Sequence, residues 1–146
     1  MATQQDIHAA GAENRPPMLT KGGYLQWTSR MLRYIKTKPN GKLMIKSIQD
    51  GPFKPRQVLE PGNADATTPV PPSYRLQYES EYTAKDQKQV EADDMAIHII
   101  QLGLPIDIFV AVDSCETAFD MWERVRRLCH GTEIGQQDME NKLLTE

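Results

Sequence analysis

The chain has 146 residues, with 17 Lys and Arg against 20 Asp and Glu, a formal net charge of -3 and 39% apolar residues. That length holds one domain, and an apolar share slightly below ordinary globular usage leaves part of the chain outside its core. Two cysteines, Cys115 and Cys129, are too few for a disulfide-stapled scaffold or a Cys-rich zinc module, which points to a reducing, cytoplasmic setting. Residues 1–17 carry Asp6 and Glu13 and no apolar run, matching neither a secretory signal nor a transit peptide. The longest apolar stretches, Ala96 to Ile106 and Ile106 to Val112, fall short of the roughly 20 residues a membrane span needs.

The net charge conceals an asymmetry. Residues 1–60 hold ten bases and four acids, +6, and the remainder seven bases and sixteen acids, -9. Such a polar chain suits nucleic-acid binding through its basic part, association with its own copies through both parts, or two merely solvated faces.

In chain order, residues 1–18 are polar, contain Pro16-Pro17 and lack periodicity, so they read as a disordered tail ahead of a domain spanning 19–146. Tyr24, Trp27, Met31, Tyr34 and Ile35 fall on one helical face, with Arg30 and Arg33 opposite. Lys36-Thr37-Lys38 suits the negative end of that helix, and Pro39-Asn40-Gly41 stops it. A second helix over 42–49, with Leu43, Met44, Ile45 and Ile48 apolar, completes a helical hairpin and ends at Asp50-Gly51-Pro52. Six of the ten prolines (Pro52, Pro55, Pro61, Pro69, Pro71 and Pro72) mark residues 53–74 as an irregular, exposed loop.

Thr83 and Asp86 have capping-box spacing and open a third helix, polar through Lys88 and then apolar at Val90, Ala96, Ile97, Ile99 and Ile100. Its first half is expected in solvent and its second in the core, with Gly103 as C-cap. Pro105 fits the first turn of a short helix over 106–112. Asp113, with Glu116 three residues on, suits the N-cap of a fifth helix carrying Ala118, Met121, Trp122, Val125, Leu128 and Cys129. His130-Gly131-Thr132 closes it, and another helix with Met139, Leu143 and Leu144 is under way when the chain ends, as in a fragment of a longer protein. The expected class is all-α, five to six helices, with no strand and no repeat.

Chemistry is sparse. His8 lies in the tail; His98, inside an apolar segment, reads as a core or boundary histidine, and His130 as a helix-end cap. Cys115 and Cys129, about 21 Å apart along one expected helix, cannot bond or share a metal. Asp93-Asp94 and the Glu79/Glu81 pair read as solvated acids, and Gly22-Gly23 as a turn rather than an anion site. Nucleotide-binding and nucleophile-elbow motifs are absent. No enzyme, cofactor, metal or small-molecule substrate is expected. What is left is a basic set on the outer side of the helical hairpin: Arg30, Arg33, Lys36, Lys38, Lys42 and Lys46. It suits non-specific phosphate contact and equally a solubilising face.

Tyr24-Leu25-Gln26-Trp27 followed by Met31-Leu32-Arg33-Tyr34-Ile35 resembles the opening of the capsid-like region in the Gag polypeptide of Ty1/copia-type LTR retrotransposons, most of all those of plants. In the same order come Ala96-Ile97-His98-Ile99-Ile100 with Leu104, the segment Ile108 to Val112, and Thr117-Ala118-Phe119-Asp120-Met121-Trp122-Glu123, similar to that family's Thr-Ala-x-x-Met-Trp. The resemblance spans about Leu19 to Leu144. It implies a helical capsid domain that self-associates into a particle around element RNA, with Trp27 and Trp122 as core anchors. The zinc knuckle, protease, integrase and reverse transcriptase of longer elements have no counterpart here. The alternative reading of the residues is a helical host adaptor that binds one protein partner.

Overall fold

The computed structural model describes residues 14–130. The chain there is mostly helical with a small two-stranded sheet: α1 (Tyr24–Lys36), α2 (Gly41–Asp50), β1 (Gln57–Glu60), β2 (Ser73–Leu76), α3 (Ala84–Leu102) and α4 (Ile106–Val112). Residues 118–130 are helical as well and are termed α5. The expected tail up to residue 13, the helix around Met139 and the Gly131-Thr132 stop lie outside the described residues.

α1 forms where the apolar spacing predicts. Tyr24, Trp27, Met31 and Ile35 are its buried residues, and Arg33 and Lys36 occupy its last turn, where cations complement the helix dipole. Asn40, in the left-handed region at φ 61°, turns the chain directly into α2, which buries Met44, Ser47 and Ile48. Among α1 to α4 the most extensive helix pairing is α2 against α3. The core gathers Trp27, Met31, Ile35, Met44, Ile48, Ala92, Ala96, Ile100, Val112, Met121 and Val125. Trp27, within it, stacks on the partly buried Trp122 at its edge with ring centroids 5.2 Å apart, bringing α5 onto α1.

α3 starts as expected. The Thr83 hydroxyl accepts from the Asp86 N–H, and the Thr83 N–H donates to the Asp86 carboxylate, each at 3.1 Å, the reciprocal cap that satisfies two otherwise orphaned donors. Its first half, however, is solvated on one side only, with Lys85, Gln87, Lys88 and Glu91 exposed. Asp86, Gln89 and Asp93 are buried in line with Ala96 and Ile100. The reason is that each has a partner: Gln89 donates to the Leu43 carbonyl at 2.9 Å, and Asp93 accepts from the Ser47 hydroxyl and from the Ala118 N–H at 3.2 Å. A carboxylate at the start of α5 also meets the positive end of that helix. Asp93 thus joins α2, α3 and α5 through one side chain, while Asp94 beside it is exposed.

Three further expectations change. α5 begins at 118, not near Asp113, because Thr117 supplies its cap: the Thr117 hydroxyl accepts from Asp120 N–H at 3.1 Å. Cys115 therefore precedes the helix rather than lying on it. His98 is exposed; at 100° per residue it sits 200° from both Ala96 and Ile100, away from the buried stripe. The segment 53–74, expected to be irregular, contains β1 and the start of β2, which pair antiparallel with Val58 opposite Arg75 and Leu59 opposite Tyr74. Phe53 and Tyr82 close the base of this arm edge to face at 4.9 Å.

Pro16 and Pro17 also depart from the tail reading, since both are buried. The Trp27 indole N–H donates to the Pro17 carbonyl at 3.1 Å, and the Leu19 N–H donates to the Gly103 carbonyl at 2.8 Å. Gly103 has φ -96°, so no left-handed cap requires glycine there. Crowding does: a Cβ would lie 2.5 Å from both the Met31 methyl carbon and the Pro17 carbonyl oxygen. Pro105 is the N-cap of α4 rather than its first residue.

Candidate interaction surface

The helical hairpin presents its bases because its two buried faces point inward, so residues half a turn away on α1 and α2 face solvent. Arg30, Arg33, Lys36, Lys42 and Lys46 are all exposed. The structure divides the expected six-residue set into distinct places. Arg33, Lys36 and Lys42 converge on one open groove of about 480 Å³ whose remaining lining is Leu32, Ile45 and Gln49. Arg30 belongs instead to a smaller depression of about 300 Å³ beside Lys21, Gly22 and Gly23. Lys38 is half-buried with its ammonium 4.6 Å from the centre of the Tyr34 ring, a cation–π contact that holds the charge against α1. Lys46 follows Lys42 by one turn of α2 on the exposed side. Gly22, at φ 76°, serves the turn into α1, where Gly23 N–H donates to Thr20 carbonyl at 3.0 Å.

The chemical character of the groove follows from its composition. Two aliphatic side chains, Leu32 and Ile45, are half-buried along it and three permanent or near-permanent cations stand over them. Among the described residues the ion pairs use Arg56, Arg75 and Arg126, so Arg33, Lys36 and Lys42 have no carboxylate holding them. Such a groove accepts anionic groups by charge and an aliphatic side chain by burial. The sequence locates the cations but not the groove they share: Leu32 and Ile45 are half-buried at the edge of amphipathic faces, a position with no distinct periodic signature, and Gln49 is an ordinary exposed polar residue.

The bases of the β arm behave differently. Arg75 pairs with Glu81 at 2.6 Å and with Glu60, and its guanidinium lies 4.1 Å from the Tyr78 ring centre. Bonding to Glu81 first, and to Glu60, raises the Arg75 pKa. The same Arg75 bond, aided by the Tyr78 N–H, holds Glu81 below its ordinary value of 4.5. Arg126 is likewise raised by its bond to Glu123. Glu81, read from sequence as a solvated acid, is thus ion-paired at the surface.

Among the described residues no cluster of three or more potential metal ligands occurs, and no helix is long and apolar enough to cross a membrane. Cys115 and Cys129 form no disulfide among the described residues, and each is half-buried. Compared with protein-family models, with curated proteins and with solved structures, the chain matches none.

Proposed function

We propose that the chain is a capsid-like domain of a copia-type Gag polypeptide, a non-catalytic structural protein that self-associates and touches RNA weakly and without sequence preference. The observation that carries this reading is the stacking of Trp27 on Trp122 at 5.2 Å. Those two residues belong to the two most distinctive resembling motifs, Tyr-Leu-x-Trp and Thr-Ala-x-x-Met-Trp, which lie far apart in the chain. A family resemblance made of coincidental local patterns has no reason to place both tryptophans against each other in one core. The other resembling segments support it in the same way: Ala96 and Ile100 are buried in that core, Leu104 and Val112 join it, and Ile108 packs on its edge.

Self-association draws support from apolar surface left open on the helices, chiefly Leu25, Leu102, Ile106 and Val110. RNA contact draws support from the unpaired cations of the α1–α2 groove. Sedimentation velocity over a range of concentrations tests the first part: the expected result is an average mass that rises with concentration, and a strictly monomeric chain overturns the reading. Retention on single-stranded RNA tests the second. If Arg33, Lys36 and Lys42 each take one phosphate, the logarithm of affinity falls with the logarithm of salt at a slope of about -2. Undetectable binding at low salt, or binding indifferent to salt, removes RNA from the proposal.

A further inference from the structure

Of the exposed features, one pair is complementary in both charge and polarity. The α1–α2 groove is aliphatic along Leu32 and Ile45 and basic at Arg33, Lys36 and Lys42. On α4, Ile106 and Val110 are 76% and 68% exposed, and their four-residue spacing aligns them as one ridge. Asp107 and Asp113 are exposed alongside. An apolar ridge flanked by acids is the counterpart of an apolar groove flanked by bases.

We infer that two copies of the chain join head to tail, the α4 ridge of one copy seating in the α1–α2 groove of the next. This rests on the self-association proposed above and names its contact. A copy cannot fill its own groove. Asp107 and Ile108 line a cavity together with Tyr24, the first residue of α1, whereas Arg33 and Lys36 occupy that helix's last turn. Twelve residues at 1.5 Å each put about 18 Å between those two ends. The ridge must therefore find the groove of another molecule. Burying Ile106 and Val110 supplies the non-directional attraction, and the facing charges set orientation and speed encounter. Because groove and ridge are different surfaces, the contact is heterologous: every joined pair keeps one open groove and one open ridge, and growth continues until a ring closes or a filament forms.

The experiment uses the full chain and two variants confined to exposed or groove-wall side chains. The groove variant is Arg33→Glu, Lys36→Glu, Lys42→Glu; the ridge variant is Ile106→Ser, Val110→Ser, which keeps Asp107 and Asp113 so that it is repelled by the groove variant's Glu side chains. Each is expected to weaken self-association by at least about tenfold in sedimentation, with helix content by circular dichroism unchanged. Asp107→Lys with Asp113→Lys is a second ridge variant that leaves the apolar residues in place, and it is expected to act in the same direction. Mixing the groove variant with the ridge variant is the decisive step. One retains an intact ridge and the other an intact groove, so they should form a one-to-one dimer that grows no further. No dimer in the mixture, or ridge variants that associate as tightly as the unmodified chain, overturns the interface while self-association stands. A groove variant that loses RNA retention but associates normally also overturns it, and makes the groove a nucleic-acid surface alone. An unmodified chain that stays monomeric sinks both this contact and the function on which it rests.

Discussion

The helical hairpin and the β arm are each built from two short elements, and both carry arginine, yet they use charge in opposite ways. In the arm, Arg75 is held by Glu60, Glu81 and the Tyr78 ring, and Arg56 reaches Asp86 at 3.4 Å across to the start of α3. Those cations replace a core: Leu59, Tyr74 and Leu76 share one exposed face of the two-stranded sheet, and the arm has little apolar burial of its own. A two-stranded sheet alone is marginal in water. The helical hairpin needs no such support, because Trp27, Met31, Ile35, Met44 and Ile48 anchor it. Its Arg33, Lys36 and Lys42 are consequently left open to an external partner. In the hairpin, packing holds the segment and these three cations stay out of ion pairs; in the arm, packing is thin and Arg56 and Arg75 are taken up in ion pairs.

The largest expected effect comes from attacking the packed side of this contrast. Trp27→Ala removes the stacking partner of Trp122 and the donor to Pro17, and should destabilise the whole domain by about 3–5 kcal/mol. Thermal or urea unfolding measures it, and a loss below about 1 kcal/mol would mean that the hairpin is not anchored as described. A smaller effect is expected at the junction of arm and helix. Asp86→Ala deletes half of the α3 capping box and the Arg56 partner, for about 1 kcal/mol. The smallest effect is a local one set by pH. Glu81 has a lowered pKa, so its contribution is complete above its ordinary 4.5 and is lost as the pH falls through the folded value. The protection of the amides at Tyr78 and along β2, taken relative to the intrinsic exchange rate at each pH, should therefore fall below pH 4.5 while far-ultraviolet circular dichroism of the helices stays constant. Simultaneous loss of both signals would break the distinction between the two regions.

Much of the helical layout was legible from local chemistry. The Thr83 and Asp86 pair, the three- and four-residue steps from Tyr24 to Ile35, and the punctuation at Pro39-Asn40-Gly41 each act within a turn or two of the chain. What escaped depends on distant partners. Asp93 reads as a surface acid beside Asp94, and only the arrival of Ser47 and Ala118, 46 and 25 residues away, makes its burial affordable. β1 and β2 are four residues each among prolines, too short for alternation to register. Asp113 outranks Thr117 as a cap by residue type, yet Thr117 directly adjoins the first residue of α5. For the surface, the sequence identifies the cations but not their division: Arg30 and Lys38 leave the groove for reasons that lie in the Gly22 turn and the Tyr34 ring.

The strap from Pro16 to Leu19 bears on the order in which the molecule is completed. The Pro17 carbonyl meets Trp27 only ten residues on, a closure available as soon as α1 exists. Its neighbour Leu19 must wait for Gly103, whose site is created by the end of α3 settling beside Met31. Closing so long a loop is unfavourable until the helices between have formed. On a ribosome, the strap emerges ahead of α1, α2 and α3 yet is locked only after the last of them has formed, like a clasp fastened after the lid is down.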